Sequence, residues 1–493
     1  MALSNHILTI VEPSIELDQL KFKPYGESKG ENNTSQDYGG QGYPFVMING
    51  YMFSPEDIQS FEIRVDGLIP RISVTIVDSM GQFAIDTFPR DGDVINVRIA
   101  PKNQDIYRDI RIDFDIDSVQ TPLLSSIQVG VGGGKYTFTG TMKVPGLFAD
   151  ICSSYETATS KDHLIQIANE LGLGLATNIE TANDAMKFIV AYETRMDAIK
   201  DRVEHSYVGE ESFQTFSIDP YYYINYVDMN ALLESEEDFE QALIENDINL
   251  LDKVNDTEGL NQQSSFNILT SHNRAEGTAA HILAYSLKNQ SGKAVKANGY
   301  KRVLQYFEND SEERLVSFDV EALTSSQMKD IEEPLRGRRD EERYKEEVKY
   351  KYMGRLDVDP ETSNTHLNYN FSRVHNKQNM DELKKLTLEV ELSGFNPSLH
   401  RYQKIPVAIF NQVQNQVYAD LNLKNKKKEQ NFETSDVNDE SDGIAEPNTL
   451  DDFLSGFYII GDIRYKYSKK LGRMTQSLTL LRREWPSRFN NIG

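Results

Sequence analysis

The chain has 493 residues, 39% of them hydrophobic, and a formal net charge of −25. That length allows about three domains with real cores, and the acidic balance argues against wholesale binding to nucleic-acid phosphates, which takes a surplus of Lys and Arg. The one cysteine, Cys152, leaves no intrachain disulfide and no multi-thiolate zinc site, and reads as a small buried side chain.

Met1 to Leu20 carries Glu12, Glu16 and Asp18 and no basic segment leading into an apolar core, so no secretory signal is expected. No apolar run approaches the ~18 residues that cross a bilayer as a helix, and folding in a cytoplasm without membrane partners is expected. Residues 21–44 end in Gly39-Gly40-Gln41-Gly42 and complete a flexible arm, 1–44. Period-two strands follow. Phe61, Ile63 and Val65 alternate with Glu62, Arg64 and Asp66; Ile72, Val74 and Ile76 with Ser73 and Thr75. Ile95, Val97 and Ile99, then Ile110, Ile112, Phe114 and Ile116, then Tyr136 and Phe138 continue the set. Each strand has one apolar and one polar face, which suits a small closed barrel or sandwich over 45–148.

From 149 to 340 the pattern mixes helix and strand. Thr159-Ser160-Lys161-Asp162 is a capping-box pattern opening a helix with Leu164, Ile167, Ala168 and Leu171 inward and Gly172 as its stop. Thr194-Arg195-Met196-Asp197 repeats it, with Met196, Ile199 and Val203 at helical spacing. Aromatic strands follow at 213–216 and 221–226, then an acidic stretch, 232–258, read as a solvated loop or helix. Ala275 to Leu287, flanked by His272 and His281, reads as a helix. The mixed-charge stretch 332–347, with Arg336, Arg338 and Arg339, reads as a solvated, ion-paired helix. Over 341–490 strands return at Leu386–Leu392, Ile405–Ile409, Phe457–Tyr467 and Gln476–Leu481, interrupted by an insertion loop at 412–454. The two β regions share an outline: Asp93–Ile99 parallels Lys404–Ile409, and Ile110–Ile116 parallels Tyr458–Tyr465.

The chemical motifs fail. The run Gly130-Val131-Gly132-Gly133-Gly134-Lys135-Tyr136 lacks the first Gly of a P-loop, where Val129 stands, and its hydroxyl, where Tyr136 stands. A hairpin loop is expected there. The eight histidines have no metal-ligand spacing, and His163 in a first helical turn reads as a capping or solvent-facing residue. There is no GxSxG elbow, and carboxylates are too abundant for any glycosidase pair to stand out. No catalytic, cofactor or metal residue is expected.

The order of elements resembles the tail-hub family of contractile machines, which includes the baseplate hub of T-even phages, the hubs of Mu-like phages and the hub part of VgrG in type VI secretion. Tyr136 to Asn178 carries the resemblance, with Gly140, Val144-Pro145-Gly146-Leu147, Thr159-Ser160 and Gly172-Leu173-Gly174 in order. Thr181–Tyr207, Asn376–Leu392 with Ile405–Phe410, and Gly456–Tyr467 with Thr475–Arg482 continue it. The resemblance implies a β-dominated α+β fold: two small antiparallel barrel-like tube domains around a mixed α/β middle region. It implies a non-enzymatic homotrimeric hub in a virion baseplate, contacting a hexameric tail tube or tube initiator above, a trimeric spike below and other baseplate subunits. DNA would pass through its lumen without specific binding, past a wall expected to be net negative. The alternatives are a tube-initiator or wedge protein and a tail-tip peptidoglycan hydrolase.

Overall fold

The computed structural model describes residues 7–15, 43–53, 56–78, 83, 89–90, 92–100, 110–121, 134–234, 268–271, 280–290, 302–308, 314–320, 349–356, 365–397, 399–410, 451 and 453–482. The fold is a β-dominated α+β. In chain order the strands are β1 (Leu8–Val11), β2 (Tyr43–Ile48), β3 (Tyr51–Phe53), β4 (Ile58–Val65), β5 (Arg71–Asp78), β6 (Val94–Ala100), β7 (Ile110–Gln120), β8 (Gly134–Met142) and β9 (Asp150–Ala158). Helix α1 (Ser160–Leu171), β10 (Gly174–Thr177), β11 (Met186–Thr194), α2 (Arg195–Glu204), β12 (Gln214–Ile218), β13 (Tyr223–Asp228) and α3 (Met229–Glu234) follow. The remainder is β14 (Leu269–Thr270), β15 (Ile282–Asn289), β16 (Arg302–Glu308), β17 (Arg314–Val320), β18 (Lys349–Leu356), α4 (Tyr369–Leu383), β19 (Leu386–Leu392), β20 (Lys404–Ala408), β21 (Gly456–Ser468) and β22 (Arg473–Leu481).

The helix punctuation acts as read. The Thr159 side chain accepts from the Asp162 N–H while Asp162 reaches back to the cap, and Gly172 ends α1 at φ 71°. Thr194 caps α2 by accepting from the Asp197 N–H at 3.1 Å. These helices pack on a four-stranded sheet, β1-β10-β13-β12, and on the ribbon β9-β11. Three readings differ here. Leu8–Val11 lies within the expected flexible arm but pairs antiparallel with β10, because that strand needs a partner on its outer edge. Cys152 is exposed, on the outer face of β9, since Tyr155 and Phe188 take the inner one. His163 is buried, turned inward by a hydrogen bond from Arg202. The stretches 235–258 and 332–347, the glycines at 130–133 and most of the 412–454 insertion lie outside the described residues.

The main sheet runs β15-β19-β22-β21-β4-β5-β8-β7-β6-β2-β3, and β20 also pairs with β21. Its order contains a repeat. In the N-terminal unit the order is β4-β5-β8-β7-β6; in the C-terminal unit it is β15-β19-β22-β21-β20, with corresponding strands in the same chain order and every pairing antiparallel. Bulges recur as well. The register shifts at Ile58/Ser60 on β4 and at Ile282/Ala284 on β15, then at Ile116/Ser118 on β7 and Ile460/Asp462 on β21. The outline repeat read from the sequence is therefore β6 with β20 and β7 with β21. One stretch corrects the reading: within the expected helix Ala275–Leu287, whose residues 275–279 lie outside the described ones, Ile282 onward belongs to strand β15 of the C-terminal unit.

The units join by β21 pairing with β4, Ile463 opposite Val65, Tyr465 opposite Ile63 and Tyr467 opposite Phe61. All six side chains are buried in one core that also holds Val74, Phe138, Val390 and Leu478. Arg401 reinforces the join. Its guanidinium, almost wholly buried, donates to the Gly67 and Gly461 carbonyls and to the Asp462 carboxylate at 3.2 Å, so it bonds to both units.

Candidate functional surface

Since strand residues alternate, burying one face of this sheet leaves a second face polar along its whole length. Across β15-β19-β22-β21-β4-β5-β8-β7 one row of opposed residues reads Ala284, Glu391, Ser477, Arg464, Arg64, Arg71, Thr141, Asp115. The neighbouring row includes Lys466, Glu62, Ser73 and Thr139. Hydroxyls link adjacent strands: Thr75 with Thr137 at 3.1 Å and Ser118 with Thr139 at 2.8 Å, while the Thr141 hydroxyl donates to Asp117 at 2.7 Å.

Several charges on this face are paired. Arg64 meets Glu62 at 2.6 Å, Arg71 meets Asp66 at 2.8 Å, and Lys288 meets Glu389 at 3.1 Å. Arg464, Arg64 and Arg71 stand opposite one another on three adjacent strands, an arrangement that like-charge repulsion disfavours. Asp66 offsets it by also lying 3.8 Å from Arg464. Burial alone would raise the Asp66 carboxyl, but the hydrogen bond and charge of Arg71, with Arg464 and Arg64, hold it below its ordinary value. Asp462 goes the other way, raised by burial despite Arg401. A shallow recess of about 140 Å³ opens beside it, lined by Lys288, Lys384, Arg401, Glu389 and Asp462 among others. The described part of this face is thus hydrophilic and carries charges of both signs.

The sheet also has open ends. Among the described residues β15 pairs on one side only, and its Leu283, Tyr285 and Leu287 are 52, 44 and 42% exposed. Strand β7 pairs with β6 over Ile110–Ile99 to Val94–Asp115, whereas among the described residues Ser118–Gln120 pair only with β8. The strand patterns announced the polar face, but its continuity across two units depends on the β21–β4 join, between segments some 400 positions apart in sequence.

Away from the sheet, a polar cluster fills the space between α1, α2 and α4. Arg202, fully buried, donates from Nε to Nδ1 of His163 at 2.9 Å and pairs with buried Asp184 at 3.5 Å. His205 stacks on Tyr369 and bonds its carbonyl at 2.7 Å. Sequence reasoning missed Arg202, although it sits beside Val203 and three residues after Ile199, on the apolar stripe of α2. Among the described residues no group of His, Cys, Asp and Glu is arranged to hold a metal ion.

No protein-family model and no curated protein matches the chain. The chain resembles solved tail proteins. The 43 kDa tail protein of prophage MuSo2 from Shewanella oneidensis aligns with a TM-score of 0.48 and 9% identity, over 90% of this chain and 98% of that one. A tail protein from Neisseria meningitidis MC58 gives 0.46 and 10%, over 90% and 96%. The E. coli c3393 protein, a type VI secretion component described as similar to T4 tail proteins gp27 and gp5, gives 0.40 and 9%, over 89% and 76%.

Proposed function

We propose that this chain is a structural, non-enzymatic subunit of a phage-type baseplate: a homotrimeric hub between a hexameric tail tube and a central spike. The observation that carries the reading is the repeat, two units of like topology joined into one sheet with a single polar face. A chain built as two like units presents six of them in a trimer, which lets a threefold body meet a sixfold tube. The polar face suits a channel wall for DNA. Its hydroxyls hydrate it, and its paired charges neither repel the polyanion strongly nor hold it, since retention takes unpaired cations. The reading places the protein in the virion after assembly in the host cytoplasm, with tube, spike and other baseplate subunits as partners.

Electron microscopy of the purified protein tests it. Rings of threefold symmetry with six lobes around an opening are the expected class averages. Sixfold rings would replace the hub with a tube initiator.

A further inference from the structure

Four of the eight histidines, His163, His205, His366 and His375, meet in one seam between α1, α2 and α4, and all four are buried. The seam holds α4 in place. Six of the eight residues that α4 buries are polar, so hydrogen bonds more than apolar area fix it to the end of α2. The His205 carbonyl accepts from Nε2 of His366 at 2.7 Å and from the Ser372 hydroxyl at 3.0 Å. In return Nδ1 of His205 donates to the Tyr369 carbonyl at 2.7 Å. Asn376 donates to the Glu204 and Ser206 carbonyls at 3.2 and 3.0 Å and accepts from the Gln214 N–H at 3.1 Å.

These rings fit their places as neutral imidazoles. Nδ1 of His163 accepts from Nε of Arg202 at 2.9 Å while its Nε2 donates to the Glu156 carbonyl at 2.9 Å. A proton on Nδ1 would set two donors and two positive charges against each other. Nδ1 of His366 and Nε2 of His375 are buried with no hydrogen-bond partner among the described residues, so a proton added there is a donor left unsatisfied. The charges around the seam do not compensate. Cations face it from α2, as Arg202, and from α4, as Arg373. Asp184 already holds Arg202 at 3.5 Å and accepts from the Ser160 and Tyr207 N–H groups, and Glu204 holds Arg373 at 3.2 Å. Asp201 lies 3.5 Å from Nε2 of His205, but burial raises it despite Arg373, so acid neutralises it too. From β9 and β13 come Tyr155 and Tyr226, whose hydroxyls burial raises, so they stay uncharged.

We propose that this seam is a proton-operated latch, closed near neutrality and opened in mild acid, which frees α4 from α2 while both sheet units stay folded. It goes beyond the hub reading and does not depend on it. Burial holds all four rings low in the closed form, His205 at about 3 and His375 at about 4. Released into water, each returns toward about 6.5. The closed form is therefore favoured above that value. Below it each histidine shifts the equilibrium toward the open form by up to about tenfold per pH unit, until its closed-form value is reached. The join between the units rests instead on backbone pairing of β21 with β4 and on buried apolar side chains, which do not titrate. Since α4 runs through Lys384 and Lys385 into β19, the latch governs how the segment entering the second unit sits against the middle region.

Hydrogen exchange of the full-length protein, followed by mass spectrometry and corrected for the intrinsic rate at each pH, reads the latch directly. Protection of the amides in Tyr369–Leu383 and at the end of Arg195–Glu204 should fall at least about tenfold from pH 7 to pH 5 and return at pH 7. Protection in β4, β5, β21 and β22 should hold over the same range. His205→Asn with His366→Gln keeps both donors without a titrating ring and should cut the fall in α4 at least about threefold. Should that variant not fold, His163→Gln, which offers Arg202 an acceptor and Glu156 a donor, is measured for the same reduction. Loss of protection in α4 and the sheet together would be ordinary acid unfolding and would overturn the latch. So would protection of α4 that survives at pH 5, or a fall that the variants leave undiminished.

Discussion

Arg202 and the histidines around it show how a polar side chain comes to be buried at all. An unpaired guanidinium in an apolar interior costs several kcal/mol; Arg202 avoids this by giving Nε–H to His163, a second N–H to the Asp184 carbonyl and its charge to the Asp184 carboxylate. His163 must then be neutral, its proton on Nε2 and donated to the Glu156 carbonyl. Burial holds its pKa down, and it lowers His205 to about 3 and His375 to about 4. A histidine depressed in the folded state takes up its proton more readily when unfolded. Its contribution is present near neutrality and is lost as pH falls below about 6.5, toward the folded value. The expected outcome is a melting temperature that declines from pH 7 to pH 5, by up to about 1.4 kcal/mol of stability per pH unit for each such histidine. His205→Asn, which keeps a donor toward Tyr369, should flatten that decline in a thermal melt series. An unchanged pH slope in the variant would show that His205 is not among the groups responsible.

At the scale of elements, local signals were legible where the chain itself makes the bond. The Thr159 box closes within four residues, so α1 could be read from its sequence. Thr159→Ala should cost about 1 kcal/mol in urea unfolding; a loss below a few tenths would mean that packing of Leu164 and Ile167 alone sets the helix start. The strands of the N-terminal unit were legible for a similar reason, since each shows a buried face every second residue. Strand β15 was not. Its burial falls to exposed immediately after Ile282, so Leu283, Tyr285 and Leu287 give no inside and outside to read, and the apolar cluster passed for a helix. What makes it a strand is β19, about a hundred residues later, with which Tyr285 and Leu287 pair opposite Val390 and Leu388. A segment whose structure is set by a distant partner is hidden from local periodicity.

The whole molecule carries a charge of −25, whereas the polar face of its sheet sets Arg64, Arg71 and Lys288 each against a carboxylate. Composition could not reveal this, because a net charge says nothing of where the acids lie. Under the proposed function this pairing suits a wall past which a polyanion moves, because Arg64, Arg71 and Lys288 are each held to a carboxylate. Breaking those pairs should therefore create binding rather than abolish it. Glu62→Lys with Glu389→Lys removes the partners of Arg64 and Lys288 and adds cations beside them. The assembled variant should retain double-stranded DNA on a filter or gel where the wild type does not. Its affinity should fall with log salt at a slope of about 0.9 for each phosphate neutralised. The mirror change, Arg64→Glu with Arg464→Glu, should give no binding at any salt, and assembled rings of that variant should slow passage of DNA through repulsion. Equal retention by wild type and the lysine variant would mean that this face does not meet DNA, and the channel would have to be lined by another surface.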